Sequence, residues 1–440
     1  MRRPSENRRE MVVDRRSFLR TCAAAGAWAG IAPLLAGADT GGDRRPNVVL
    51  IIGDDQGFGD YGFMGHPVIK TPNLDRLAGE SVVFTRGYVT TALCCPSLST
   101  MLTGLYPHQH GYTGNDPAGG GDRNRWVERF RQHSQLPALL AQAGYLSLHT
   151  GKYWQGNPSV SGFTDSMGKT DRHGGQALAI GRQTMKPVYD FIAKAQSQSK
   201  PFFIWYAPMM PHAPHNPPEH LLAKYKEKTP RLNKAKYFAM CEWFDETCGE
   251  LLQHIDDRGL RDNTVVIYIA DNGWSQGLEG FRGSKQTLWE QGVRQPIMIR
   301  WPGKIRPRRD EEHLVSNMDI APTILTAAGL SVPGPMAGVN LLDDRAVGAR
   351  TAVFLEDFAH NMAAPEAPEK TLEARGVISG DWKLLVMRDA KASGPVGATR
   401  TFLFNLKNDP KEKENLAEVN RQKVEELLRM LNEWWNPPEG

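Results

Sequence analysis

An α/β protein built on a large doubly wound sheet is what this sequence predicts, and three observations carry that expectation. Four apolar runs, at residues 46–52, 145–149, 201–207 and 264–270, each end in polar, chemically able side chains. Stretches with helical periodicity separate them. From about residue 350 the pattern changes to short strands followed by one charged terminal helix. The expected architecture is therefore a mixed, mostly parallel sheet with helices on both faces, plus a small C-terminal antiparallel sheet and helix. Ligand sites of such sheets lie beyond the carboxyl ends of the strands.

The first run, Pro46-Asn47-Val48-Val49-Leu50-Ile51-Ile52, is continuous, the mark of a strand buried on both faces. It ends in Gly53-Asp54-Asp55-Gln56-Gly57, where two adjacent carboxylates suit a hard divalent cation; solvated loop acids are the plainer alternative. A helix over 72–79 and a strand over 81–88 lead to Thr91-Ala92-Leu93-Cys94-Cys95-Pro96-Ser97-Leu98. Pro96 fits a first helical turn and Gly104 fits the residue past the end. Cys94 then sits at or just before a helix N-terminus, where unpaired N–H groups favour an anion or a thiolate. A buried cysteine pair beside a helix start is the alternative.

Tyr106-Pro107-His108-Gln109-His110-Gly111 reads as a loop with no assigned role for its histidines, and 117–126 as another loop. Residues 136–143 form a helix closed by Gly144. The strand at 145–149 leads to Thr150-Gly151-Lys152-Tyr153-Trp154. Residues 156–175 are Gly-rich and irregular, suited to lining a cleft. A helix over 181–195 precedes the strand at 201–207, which runs into Met209-Met210-Pro211-His212-Ala213-Pro214-His215. The amphipathic stretch 236–255 puts Phe238, Trp243, Leu251 and Leu252 on a core face. The strand at 264–270 ends in Asp271-Asn272-Gly273. A loop carrying Arg282, Lys285, Glu290 and Arg294 follows, then a strand over 296–301 and a helix over 319–328. Short strands at 376–379, 383–387 and 401–405, with a helix over 413–435, close the chain. Asp409-Pro410 and Asn415-Leu416 are turn and cap signals.

The formal charge of +4 belongs to the N-terminus. The first 38 residues carry seven Arg against three acids, and the remainder balances at 46 of each sign, so nothing favours nucleic acid as a partner. Asp14-Arg15-Arg16-Ser17-Phe18-Leu19-Arg20, an Ala/Gly-rich apolar run and Ala36-Gly37-Ala38 read as a twin-arginine signal with its cleavage site. That implies the translocase as a partner and a periplasmic or secreted location. An uncleaved anchor is the alternative, against which Pro33 and the small residues of the run argue. The expected division is a signal over 1–38, a catalytic α/β domain over 39–349 and an α+β subdomain over 350–440. Cys94, Cys95, Cys241 and Cys248 are too few for a disulfide scaffold. Cys241 and Cys248, about 10 Å apart along one helix, cannot bridge.

Cys94-x-Pro96-Ser97 followed by Leu102-Thr103-Gly104 resembles the nucleophile signature of the formylglycine-dependent type I sulfatases of the alkaline phosphatase superfamily. Six motifs in the right order extend the resemblance over nearly all of residues 46–420, ending in a Phe404-Asn405-Leu406 to Asn415-Leu416 pattern. It implies that Asp54, Asp55, Asp271 and Asn272 hold Ca²⁺ or Mg²⁺ together with residue 94. Cys94 would be oxidised to formylglycine by a formylglycine-generating or anaerobic sulfatase-maturing enzyme, and its hydrate would attack sulfur. Lys152 and Lys285 would bind the sulfate oxygens, and His212, with Lys285, would protonate the leaving alcohol. Glu290 and Arg294 would brace the Lys285 loop.

Two positions depart from the family pattern. Leu98 stands where the family has an arginine that steadies the aldehyde hydrate and guides maturation. Trp154 stands where the family has a histidine base, and indole has no acceptor nitrogen. His149, His173 or His215 are candidates to replace that base, and Arg172 or Arg282 to replace the guanidinium. The expected function is an exported hydrolase of sulfate monoesters, with sulfated small molecules or carbohydrates as substrates. A phosphoester or phosphonate hydrolase on the same scaffold, and a non-catalytic anion-binding relative, are the alternatives.

Overall fold

The central strands form where the sequence places unbroken apolar runs. The computed structural model describes residues 45–168, 175–388 and 399–438. The leader read at 1–38, and with it Arg172 and His173, lies outside the described residues. In the main sheet β1 is Asn47–Gly53, β2 Val82–Tyr88, β3 Leu146–Gly151, β4 Asp165–Ser166, β5 Phe202–Ala207, β6 Thr264–Ala270, β7 Arg294–Arg300, β8 Arg308–Asp310 and β9 Val315–Ser316. Their order is β9-β2-β7-β6-β1-β5-β3-β4, with β8 also on β2. All pairs are parallel except those of β7, which runs antiparallel to both β2 and β6. This is the mixed, mostly parallel sheet that the sequence predicts.

Helices cover both faces. Val48, Leu50 and Ile52 pack on one side with α2 (Cys94–Thr103), α3 (Leu136–Gln142) and α6 (Ile320–Ala327). Val49 and Ile51 pack on the other with α1 (Pro72–Gly79), α4 (Lys186–Ser197) and α5 (Leu232–Asp257). Alternate residues of β1 thus feed two separate cores, as its two-sided burial requires. Phe238, Leu251 and Leu252 are buried on α5, while Trp243 is only partly so. Cys241 and Cys248 are buried free thiols on the same helix. No described helix is long and apolar enough to cross a membrane.

The smaller sheet has β10 (Ala352–Phe358), β11 (Leu372–Ser379), β12 (Trp382–Arg388) and β13 (Thr399–Asn405), antiparallel in that order. Helix α7 (Arg421–Trp434) lays Leu427 and Leu431 on Val377, Leu384 and Leu403. It begins eight residues later than the sequence predicts. Asp409 Oδ2 accepts the N–H groups of Lys413 (2.6 Å) and Glu414 (2.9 Å), and Asn415 Oδ1 accepts that of Ala417 (3.1 Å). These side chains divert the donors a helix would need. Similarly, α4 starts at Lys186 rather than 181, with a proline in its first turn. Stretches that the sequence predicts as loop also hold short elements, among them the helix Pro107–His110, the start of the helix Asn124–Arg131, and β4, which pairs with Leu148 and His149 of β3.

A buried charge cluster joins the two sheets. Lys383 Nζ lies 3.0 Å from Glu290 Oε1 and 2.8 Å from Glu412 Oε1. Arg294 also reaches Glu290, at 3.6 Å, so Glu290 and Arg294 fasten the end of the Lys285 loop to the smaller sheet. Removing the single ammonium would leave two buried carboxylates uncompensated. Lys383→Met is expected to lower unfolding free energy by about 3–5 kcal/mol in denaturant titration; a loss below about 1 kcal/mol would show that the cluster is not a stabilising clamp.

Candidate active site

Register brings the chemically able strand ends together. Gly53 lies opposite Ala270, and Gly151 opposite Ala207, so β1, β6, β3 and β5 finish at one edge. Asp54 and Asp55, Asp271 and Asn272, Lys152, and the 208–215 loop all leave from that edge. Gly151 is required for the turn: it sits at φ +82°, and a Cβ there would lie 1.8 Å from the Ala207 carbonyl oxygen. Asp55 takes the left-handed region as well, at φ 58°. Its N–H donates to Asp271 Oδ1 at 3.2 Å, which locks the two strand ends.

Two lysines neutralise two aspartates. Lys152 Nζ donates to Asp54 Oδ1 at 2.6 Å and lies 3.8 Å from Asp271 Oδ2. Lys285 Nζ donates to Asp55 Oδ1, also at 2.6 Å. His212 Nε2 stands 3.4 Å from Asp55 Oδ2, while its Nδ1 is 2.7 Å from the Ala213 carbonyl. A proton on Nδ1 donated there leaves Nε2 as the nitrogen that faces the carboxylates. Burial works against ionisation of Asp55, but Lys285, His212 and Lys152 draw its carboxyl down to about 2. Burial likewise opposes the charge of Lys152 and Lys285, yet the carboxylates hold both ammonium groups protonated well above neutral pH. Asp271 goes the other way: burial and the Asp54 charge push its carboxyl well up.

Three carboxyl groups stand beside two ammonium groups, and Asp271 is the one whose carboxyl has no ammonium within hydrogen-bond distance. Asp54 Oδ2, Asp271 Oδ2 and Asn272 Oδ1 are buried with no hydrogen-bond partner, and Asp54, Asp55 and His212 each bring a ligand atom within 4.8 Å of the others. Unpartnered buried oxygens of this kind are rare and need an explanation. An oxygen-rich donor set fits a hard divalent cation, whose charge would offset that of the carboxylates.

Cys94 opens α2, with Leu93 extended before it and Gly104 at φ 63° closing the helix. Its thiol is fully buried, and burial pushes its pKa up while Lys152 and Lys285 pull it down. The sulfur is thus within electrostatic reach of both lysines. Leu98, one turn on, is buried in the core and brings no charge to the site. Trp154 is buried with its ring centroid 5.0 Å from Lys152 Nζ, so the ammonium sits between a carboxylate and an aromatic face.

Of the replacements considered for the missing base, His149 is not brought to the cluster. Its ring packs on Tyr153 at 4.8 Å and Phe163 at 5.4 Å, and burial lowers its pKa to about 4. Strand alternation carries it into the core. His215 lies near Tyr237, with Asp55 and His212 within electrostatic reach. Arg282 is likewise committed elsewhere: it donates to the Glu412 carbonyl at 3.3 Å and covers Trp289 at 4.5 Å.

Two residues at the site were not read from the sequence. Arg182 donates to the His212 carbonyl at 2.9 Å and the Pro214 carbonyl at 2.9 Å, bracing the loop that carries the imidazole. Asn115 touches the Cys94 sulfur, 3.3 Å from Nδ2. Neither position carries a local signal, because each contact spans a turn between distant elements.

The Sulfatase family model matches residues 46–330, and the model for the C-terminal part of N-sulphoglucosamine sulphohydrolase matches 280–436. The N-acetylgalactosamine-6-sulfatase of Canis lupus familiaris is 31% identical over 356 residues, covering 69% of this chain and 66% of that protein. The chain therefore spans just under two thirds of that relative's length. Arylsulfatase A of Homo sapiens is 28% identical, covering 89% of this chain and 87% of that protein. A solved protein in complex with its substrate D-glucosamine-2-N,6-O-disulfate superposes with a TM-score of 0.69 at 21% identity, covering 89% of this chain and 97% of that one.

The cation fit predicts that Ca²⁺ raises thermal stability, by about 2.7 kcal/mol at 100 times its Kd, and that Asp271→Ala abolishes the gain. Calorimetry showing no Ca²⁺ or Mg²⁺ binding to the native chain would refute the donor set. A second prediction concerns Asp60, which bonds Tyr237 Oη at 2.6 Å and the Gly57 N–H at 3.0 Å behind the Asp55 loop. Burial raises its carboxyl to about 7 from 3.8. A raised acid favours the protonated folded state, so that stability is present below the unfolded pKa and is lost as pH rises through about 7. Stability should fall between about pH 4 and about pH 7, and fall less in Asp60→Asn; equal slopes in both proteins would contradict the assignment.

Proposed function

The chain belongs to the sulfatase family, and from that premise we propose that it is an exported hydrolase of sulfate monoesters acting on sulfated carbohydrate. One observation carries the reading: Lys152–Asp54 and Lys285–Asp55 pairs, with three unpartnered oxygens, meet beside Cys94 at one sheet edge. The substrate class rests on the sulfated amino sugars named for two of the similar proteins.

Asp54, Asp55, Asp271 and Asn272 would hold Ca²⁺, or Mg²⁺, which supplies Lewis acidity, and formylglycine made from Cys94 supplies a hydrated aldehyde as nucleophile. The chain's own side chains do the rest. Lys152 and Lys285 stay charged and present fixed positive charge to the sulfate oxygens as negative charge gathers there. They need no reorganisation, because Asp54 and Asp55 already orient them. His212 holds a proton at Nε2 for the leaving alcohol, with its ring fixed through Nδ1 and Ala213. His215, kept neutral by burial and by the charges of His212 and Arg182, is the neighbouring base to take up the separate proton released in the second half of the reaction. The near-complete burial of Asp54, Asp55, Lys152 and Cys94 keeps bulk water out.

Export on a twin-arginine signal would let a cytoplasmic maturation enzyme act on Cys94 before translocation. Peptide mass spectrometry across Cys94 tests this reading together with paired aryl sulfate and aryl phosphate assays. Conversion of the CH₂–SH group to an aldehyde, and preference for sulfate, are expected. Cys94→Ala should be inactive, and Lys285→Ala should lose roughly 10²–10³ in kcat. Leu98→Arg should raise the converted fraction. An unmodified, fully active thiol enzyme, or a preference for phosphate, would overturn the proposal.

A further inference from the structure

The reacting side chain has a polar partner outside the motifs. Asn115 Oδ1 accepts the Cys95 N–H at 3.1 Å. A backbone N–H needs an acceptor, so that bond fixes which end of the amide is oxygen. The NH₂ end then faces Cys94, and Nδ2 lies 3.3 Å from Sγ. Oδ1 is also 3.5 Å from the sulfur. The Asn115 side chain is thus spent entirely on the first two residues of α2.

Its backbone is clamped with equal care. The Asn115 N–H donates to the His360 carbonyl at 2.9 Å, and its carbonyl accepts Arg123 Nη1 at 2.9 Å. Arg123 Nη2 holds Asp116 Oδ1 at 2.7 Å. Gly114 lets the two segments meet: a Cβ there would lie 2.5 Å from the His360 carbonyl oxygen. Asp116–Pro117 then pairs in parallel with Asn361–Met362. One turn on in α2, Leu98 is apolar and buried, and the Ser97 hydroxyl accepts from Asn317 Nδ2 at 3.0 Å.

We propose that Asn115 is the positioning residue for side chain 94, with Arg123 bracing it. Its Nδ2–H donates to the atom at the tip of residue 94, sulfur before maturation and oxygen after it, and so selects the rotamer that faces the carboxylate cluster. The proposal rests on residue 94 being the nucleophile. It assigns this role to a loop of the main domain, fastened to the segment after β10.

Asn115→Asp keeps the acceptor for Cys95 and replaces the donor; Asn115→Leu removes both at similar volume. With the converted fraction of residue 94 measured by peptide mass spectrometry, kcat per converted site on an aryl sulfate should fall at least about tenfold in both, with KM within about threefold. A kcat per converted site within about twofold of wild type in either variant would overturn the proposal, as would a loss confined to KM or to conversion. A wild-type chain that is fully converted yet inactive would instead sink the sulfatase reading. A second measurement is independent of activity: crystal structures of the thiol forms should show side chain 94 in more than one rotamer in Asn115→Leu and in one in wild type. The same single rotamer in both would overturn the proposal whatever the enzyme does.

Discussion

Three carboxylates converging at one buried sheet edge are the constraint from which the rest of the site follows. Burying such charges unpaired costs several kcal/mol each. The fold answers with Lys152 on Asp54 and Lys285 on Asp55, and leaves Asp271 without an ammonium partner inside hydrogen-bond range. Burial, with the Asp54 charge, pushes the Asp271 carboxyl up. A divalent cation on these oxygens would offset that cost and draw an anion to the site. One arrangement therefore fits a cation and keeps both lysines charged though buried.

The smaller sheet bears on the same edge from behind. Lys383 of β12 locks Glu290, five residues after Lys285, and Glu412 accepts the Glu290 N–H at 2.7 Å. The segment after β10 holds the Asn115 strand through His360. Both loops that reach the cluster from outside the four strand ends are thus fastened to residues beyond 350. A boundary near 350 separates two sheets but not two independent supports for the chemistry; the described residues belong to one compact unit.

The fold was legible in the sequence wherever a strand is buried on both faces. An unbroken run such as Thr264–Ala270 leaves no other home for its side chains, and the observed strand has those bounds. The strand ends were legible for the same reason, since Asp54, Lys152 and Asp271 each follow directly on such a run. What stayed hidden depends on contacts across the chain. Helix α7 begins late because Asp409 and Asn415 capture backbone donors, which periodicity does not register. His149 was a fair substitute for the missing base until strand alternation sent it into the core. Asn115 and Arg182 carry no motif, and only the fold brings them to Cys94 and to the His212 loop.

Trp154 shows how one departure from a family pattern reshapes the division of labour. An imidazole at that position would put a titratable nitrogen beside Lys152. An indole puts a flat π face there instead, 5.0 Å from the ammonium, and walls off that side with buried apolar surface. The cation–π contact favours charged Lys152, as Asp54 does, so the lysine is held more firmly as a cation and less readily as a proton donor. Among the described residues, the imidazoles with Asp55 in electrostatic reach are His212 and His215, both on the loop after β5. Both imidazoles thus enter from the β5 side, while the ammonium groups come from the end of β3 and from the loop after β6. Arg182 ties the β5 loop through the carbonyls of His212 and Pro214, so the placement of both imidazoles depends on a guanidinium from a separate segment.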